Sequence, residues 1–263
     1  MTILTSHRLL RCFVWGVAVY ICWLALLSGA DFDDGLVIHY PFEGSGQQFE
    51  DAGENGLDGN LQTAKRERNG KFGKGLLFSN KNVKAQVPRS PALVVIKDFS
   101  VAVWIFPTKL DFAGENRVVF TDQYNLDLLR GGGRLDLFSG GGWQGTNVGP
   151  ALQLETWHHI AGTFESRKKT GAFFVDGVLV SNGKTASDQL TQIQSPLRLG
   201  SRCGLAGFVG ILDELRIYDR TLDDQEIEKL FGHNPRAFSV SPVGALSTTW
   251  GDLKTANQDA KDR

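Results

Sequence analysis

Few residues of this chain stand where they could perform bond chemistry. Asp213 and Glu214 are neighbours in an alternating apolar run, residues 210–218, GILDELRIY. Hydrolysing a glycosidic bond takes two carboxylates flanking it. Side chains two apart on a strand share a face, and two positions before Asp213 stands Ile211. One acid is therefore left on that face, and regular alternation sends Glu214 to the other. His158 and His159 are also adjacent, so they face opposite sides of a strand and do not share one metal. Both, like His39, read as structural histidines. The chain has no Gly-x-Ser-x-Gly elbow, no His-Glu-x-x-His, no phosphate loop and no zinc-type cysteine spacing. No catalytic residue is assigned.

Two non-covalent chemistries fit better. Calcium takes six to eight oxygens from carboxylates, amides and backbone carbonyls. Asp51, Asn55 and Asp58 offer such oxygens in a loop whose glycines free the backbone to turn inward. Sugars stack their C–H faces on aromatic rings and share hydroxyl hydrogen bonds with planar polar groups. Residues 140–147, GGGWQGTN, place Trp143 beside Gln144 and Asn147 in a glycine-rich stretch read as a rim loop. Tyr124 and Asn125, on a neighbouring loop, are candidates for the same surface. The alternative for Trp143 is a hydrophobic plug over a sheet edge.

The elements that must position these groups are strands. Phe99, Val101, Val103 and Ile105 alternate on one face, with Trp104 on the other. Asp176-Gly177 between two apolar runs is a two-residue hairpin signal, because both central residues need positive φ. Gly131-Gly132-Gly133 links two further runs in the same way. About a dozen short strands with turns every 8–12 residues describe a sandwich. One helix is expected after residue 222. Asp223 and Glu226 form a capping box, Ile227, Leu230 and Phe231 share a face, and Gly232 and Pro235 stop it.

The bulk properties are those of a soluble globular chain. Of 263 residues, 41% are hydrophobic and 22% charged, with a net charge of −1. No basic stripe invites nucleic acid. Residues 1–30 read as a secretory signal: Arg8 and Arg11 precede an unbroken apolar run, and Ser28-Gly29-Ala30 is a cleavage site. An uncleaved anchor is the alternative, although the run is shorter than the roughly 20 residues of a full span. Cys12 and Cys22 would leave with the signal, so Cys203 would remain alone, a small buried residue. Residues 31–234 form the domain, and 235–263 a polar tail in which Leu246, Trp250 and Leu253 are the apolar positions. The expected setting is secreted, periplasmic or cell-surface, with no membrane contact once the signal is removed.

The ordered pieces carry a family likeness. GLVIHYPFE, FGKGLLF, FSVAVWIFP, WHHIAGTF, FVDG and the run from residue 210 to 230 succeed one another as in bacterial laminin G-like domains of the concanavalin A type. The chain resembles that family over residues 35–232. The resemblance implies an all-β, concanavalin A-like, laminin G-like jelly-roll sandwich of two antiparallel sheets with one short C-terminal helix. It also carries a structural calcium onto Asp51 and Asp213. One departure is Ser79-Asn80-Lys81-Asn82, where the family often has an acidic, glycine-rich turn. Laminarinase-like hydrolases share the fold class and carry Glu-x-Asp-x-x-Glu or a one-residue variant; of that set only Asp213 is present. The function implied is recognition of an extracellular glycan or a cell-surface protein without catalysis, with a glycan hydrolase and a structural spacer as alternatives.

Overall fold

In the computed structural model the chain is described over residues 32–111, 113–200 and 206–235. Residues 1–30, read from the sequence as a secretory signal, with Cys12, Cys22, Cys203 and the expected tail beyond residue 235, lie outside the described residues. The chain divides into two units. The first ends at Phe231 and holds every strand among the described residues; of the second, Gly232–Arg263, only four residues are described. Among the described residues, no helix is long and apolar enough to cross a membrane.

The strands in chain order are β1 (Leu36–Tyr40), β2 (Gln48–Phe49), β3 (Gly59–Asn60), β4 (Lys65–Gly70), β5 (Gly73–Phe78), β6 (Ala85–Val87), β7 (Phe99–Lys109), β8 (Glu115–Phe120), β9 (Tyr124–Leu129), β10 (Gly132–Ser139), β11 (Gly142–Gly145), β12 (His158–Glu165), β13 (Thr170–Val175), β14 (Val178–Lys184), β15 (Leu197–Leu199) and β16 (Val209–Tyr218). Helix α1 (Asp224–Gly232) comes after them. Sheet A runs β14-β13-β12-β7-β16-β5-β4, with β1 also paired to β16. Sheet B runs β11-β10-β9-β8-β15-β6-β3-β2. Every strand pairing within the two sheets is antiparallel. The jelly-roll sandwich implied by the resemblance is thus the fold.

Alternation sets what each face buries. Phe99, Val101, Val103 and Ile105 of β7 and Leu126, Leu128, Leu135 and Leu137 of β9 and β10 meet in the core between the sheets. Glycines admit the bulk of the opposite layer. A Cβ on Gly133 would lie 2.2 Å from the Phe173 ring, and one on Gly162 would lie 3.0 Å from methyl carbons of both Leu126 and Leu135. Gly133 belongs to β10, so the β9–β10 turn is Arg130-Gly131, at φ 53° and 83°, rather than the three glycines together. The Asp176-Gly177 hairpin forms as expected, with both φ values positive.

The outer face of sheet A has its own cover. The capping box is made: Asp223 Oδ1 accepts from Glu226 N at 2.8 Å, and Glu226 Oε2 accepts from Asp223 N at 2.9 Å. Ser100 Oγ pins the approach to the helix by donating to Arg220 O and accepting from Leu222 N, each at 2.8 Å. Ile227 and Leu230 are buried with Ala102, Ala161, Phe174 and Tyr218, while Phe231 stacks on Trp104 at 5.5 Å. Trp104 therefore covers a second layer and lines no groove.

Gly162→Val adds a Cβ and two methyl groups where even the Cβ would lie 3.0 Å from two leucine methyl carbons. It is expected to lower stability by about 1–3 kcal/mol through overpacking. Urea denaturation of the two proteins measures this, and equal midpoints would refute it.

Candidate functional site

The bulge in β16 decides where the paired acids go. Asp213 is opposite Trp104 and Arg216 opposite Ala102, so three steps on β16 match two on β7. Glu214 takes φ 51° at the extra position. Leu212, Leu215 and Ile217 consequently stay in the inter-sheet core, and Asp213, Glu214 and Arg216 all project outward. Regular alternation placed Glu214 opposite Asp213; the bulge puts both on one face.

Neither acid is available there. Asp213 is fully buried. Its Oδ2 accepts from Phe72 N and its Oδ1 from Glu214 N, both at 2.9 Å. It thereby holds the tip of the β4–β5 hairpin against the sheet, while Lys71 Nζ lies 4.0 Å from the centre of the Trp104 ring. Burial pushes the Asp213 carboxyl up to about 8 against the opposing pull of those amides. Glu214 Oε2 sits 2.6 Å from His39 Nε2 and 3.3 Å from an Arg216 amino group. Burial favours its neutral form, but these partners outweigh it and leave the group below its ordinary value. His159 is buried against Trp104 at 5.2 Å, and burial lowers it to about 3, so it is neutral. His158 bonds Asp176 Oδ2 at 2.9 Å from the strand's other side. All three histidines are structural.

The loop expected to hold calcium is closed on itself. Asp51 Oδ1 accepts from His39 N and Gly53 N at 2.9 Å, and its Oδ2 from Leu57 N at 3.1 Å. Asp58 Oδ1 accepts from Asp51 N at 3.0 Å, and Asn55 Nδ2 donates to Val37 O at 2.8 Å. Among the described residues no three His, Cys, Asp or Glu side chains are arranged to hold a metal ion. The donor set of Asp51, Asn55, Asp58 and Asp213, as arranged, does not fit a calcium shell. Both oxygens of Asp51 and of Asp213, and Oδ1 of Asp58, accept from backbone amides.

Outside sheet B the arrangement differs. Residues 140–147 are no free loop. Gly140 and Gly141, at φ 62° and 82°, turn β10 into β11, and Trp143 is paired with Phe138. The indole is 44% exposed and packs on the Phe138 ring at 5.3 Å. Gln144 braces this hairpin: its Nε2 donates to Ser139 O at 2.9 Å and its Oε1 accepts from Ala186 N. Asn147 is exposed. Tyr124 and Asn125 must be corrected, because both lie in β9 and are buried. Tyr124 points into the core against Phe99 at 4.8 Å. Asn125 points outward, but its amide serves the carbonyls of Thr121 at 3.2 Å and Tyr124 at 3.0 Å. Of the five predicted ligand residues, Trp143 and Asn147 are thus accessible.

Beside Trp143 lies a charged cluster that the reading of the sequence missed. Arg134 reaches Asp127 Oδ1 at 3.1 Å, Asp136 Oδ2 at 2.6 Å and Glu115 Oε1 at 3.2 Å. Arg117 meets Glu115 at 2.7 Å. Asp127 is fully buried, and its Oδ2 has no hydrogen-bond partner. Burial pushes its carboxyl up to about 7, partly opposed by Arg134. The signal was present: NLDLL and RLDLF alternate charge with leucine, so the acids must face away from the leucine core.

A family model described as the concanavalin A-like lectin/glucanases superfamily, of the laminin G type, matches residues 79–228, more than half of the chain. The chain belongs to this superfamily. Among solved structures it is similar to the binding domain of Paraclostridial Mosquitocidal Protein 1, at 19% identity and a TM-score of 0.62 over 76% of this chain and 52% of that one. It is similar to domain 4 of AbnA, a GH43 extracellular arabinanase from Geobacillus stearothermophilus in complex with arabinotriose, at 22% identity and a TM-score of 0.60 over 74% and 97%. The botulinum neurotoxin serotype G binding domain gives 14% identity and a TM-score of 0.60 over 75% and 50%. This superfamily member spans about half the length of the two toxin binding domains and nearly all of the arabinanase domain. These likenesses establish the fold. No curated protein matches the chain in sequence.

Two outcomes test the electrostatics. Folded Asp127 keeps its proton up to about pH 7, whereas the unfolded group loses it near about 4. Stability from this group is therefore fully present below about pH 4 and is lost as pH rises through about 7. Asp127→Asn removes that slope and is expected to exceed the parent at pH 8 by about 2 kcal/mol, and by less at pH 5. Urea midpoints across this range decide it, and parallel pH profiles would count against it. Asp51→Ala strands three backbone N–H groups and is expected to cost about 2–3 kcal/mol. A chelator added to the parent should leave its melting temperature unchanged; a drop of several degrees would mean that calcium holds the loop.

Proposed function

We propose that the chain is a non-catalytic recognition module for carbohydrate, with its contact surface on the outer face of sheet B at the β10–β11 hairpin. One observation carries this reading. Trp143 presents a large, half-open indole that is fixed by strand pairing and by its packing on Phe138. A rigid ring of this kind gives contact area to a sugar face at little entropic cost. Asn147 and the charged cluster beside it supply hydrogen-bonding groups. The arabinanase domain with arabinotriose and the toxin binding domains share the architecture, which supports a binding role without naming the ligand.

The hydrolase alternative has less support. Asp213 is buried under the β4–β5 hairpin tip and spends both oxygens on backbone amides. On sheet B, Asp127 and Asp136 are both tied to Arg134. An extracellular setting, read from the N-terminal residues, belongs to the same proposal.

A glycan array of the purified chain should give reproducible binding to at least one class of glycan, with no new reducing ends released. Trp143→Ala is expected to weaken that binding roughly thirtyfold, about 2 kcal/mol, as for a central aromatic anchor. It should keep a cooperative melting transition, lowered only by the lost packing on Phe138. An array with no binding from a folded sample would favour the spacer alternative.

A further inference from the structure

The charge of the whole chain is nearly balanced, but that of the β4–β5 hairpin is not. In residues 65–74, KRERNGKFGK, Lys65, Arg66, Arg68, Lys71 and Lys74 stand against one acid, Glu67. Lys71 turns to the Trp104 ring, and Lys74 Nζ donates to Gly44 O at 2.5 Å. Arg66 Nε donates to Glu43 O at 3.0 Å and its Nη1 to Gly46 O at 2.6 Å. That guanidinium is held by carbonyls and has no carboxylate partner among the described residues. Lys65 and Arg68 are exposed, and their side chains make no ion pair or hydrogen bond among the described residues. Glu67 turns back on the main chain, where its Oε1 accepts from Arg68 N at 2.8 Å. Sheet B treats its cations otherwise, since Arg117 and Arg134 both meet carboxylates.

These cations border an open strand edge. Sheet A ends at β4, whose ladder is made on one side only, to β5. Apart from that ladder, the main chain of β4 makes one hydrogen bond among the described residues, from Arg68 N to Glu67. The opposite edge of the sheet is closed. There β14 takes a bond from the chain that follows β11, Asn147 N to Asn182 O at 3.1 Å, and a Cβ on Gly183 would lie 2.1 Å from Gly145 O. Along β4 runs instead a groove of about 370 Å³ between residues 65–68 and the exposed residues 44–47. An open edge is a template for another strand. A second copy of the chain fits it poorly, because pairing β4 with itself sets cations against cations. A phosphate polymer would meet the charges but has no N–H groups to pair with the carbonyls of the edge. An extended acidic peptide satisfies both.

We propose that the free edge of β4 binds an extended acidic segment of a second protein, which adds to sheet A as a further strand with its carboxylates beside Lys65, Arg66 and Arg68. Main-chain bonds to the edge supply the affinity, and the charges choose the partner and speed the encounter. The Trp143 hairpin lies in the other sheet, so this surface goes beyond the carbohydrate reading and does not depend on it.

The test is fluorescence anisotropy of the full chain with a short labelled peptide of alternating Glu and Val. The same peptide N-methylated at every second residue keeps the charge and loses the strand donors. The acidic peptide is expected to bind, and the N-methylated one to bind more weakly by roughly tenfold, because several main-chain bonds are lost. A Lys-Val peptide should not bind, and salt should weaken the acidic one. Lys65→Glu and Arg68→Glu, both at exposed side chains, should each weaken binding about fivefold, the scale of a surface ion pair turned into a repulsion. Neither should change the melting temperature. Hydrogen exchange at the β4 amides should slow in the complex. Equal binding of the N-methylated peptide would overturn strand addition, and full binding by both charge-reversal variants would overturn the site. Tighter binding of duplex DNA or of phosphatidylglycerol vesicles than of the peptide, lost in the same two variants, would overturn the protein partner. Failure of the acidic peptide to bind at low salt would overturn the proposal and leave the carbohydrate reading standing.

Discussion

Leu126, Leu128, Leu135 and Leu137 must leave water, and they do so against the opposite sheet. A strand has only two faces, so burying these leucines forces Asn125, Asp127, Arg134 and Asp136 to the other side. Strand pairing then sets Arg134 opposite Asp127 and Asp136 opposite Asn125. The core thus builds the candidate surface as its by-product, at a precision set by hydrogen-bonded register and not by loop conformation. Glycines at the layer contact complete the constraint. Gly133 lets Phe173 close in, and Gly162 lets Leu126 and Leu135 do the same.

The two outer faces are used in opposite ways. Sheet A is roofed over part of its outer face by α1 and by the tip of the β4–β5 hairpin, which sequester Trp104, His159 and Asp213. Charged groups there are matched locally, as His39, Glu214 and Arg216 are, because an unmatched buried charge is costly. Outside sheet B no α-helix of the described residues is packed, and the side chains themselves form the surface. Asp127 is one of the buried groups that are not fully satisfied: one of its oxygens lacks a partner. Holding its proton lowers the penalty of that position, in keeping with the upward shift of its carboxyl.

Much of the architecture was legible in linear order because its signals are local. The alternation of β7, the Asp176-Gly177 turn and the Asp223–Glu226 capping box each depend on a few adjacent residues, and each formed as read. Each misplacement has its own local cause. Glu214 was assigned to the wrong face because a bulge shifts the phase of a strand without leaving a glycine to mark it. Trp143 was read as a loop residue because glycines that make a tight hairpin look like glycines that make a loop. Tyr124 and Asn125 were placed on a loop because a strand's first residues look like the turn before them.

The amino-acid sequence by itself determined a two-layer antiparallel sandwich, its closing helix and the family to which it belongs, since these arise from periodicity and from ordered local motifs. It also determined which side chains face outward wherever alternation is regular. Only the tertiary structure decided which of those outward groups meet, because cross-strand partners such as Gln86 and Arg198 are more than a hundred residues apart. It alone decided that the Asp51 oxygens bond to backbone amides and that Asp213 lies beneath a hairpin tip, because those amides reach the carboxylates only after the chain has folded back on itself.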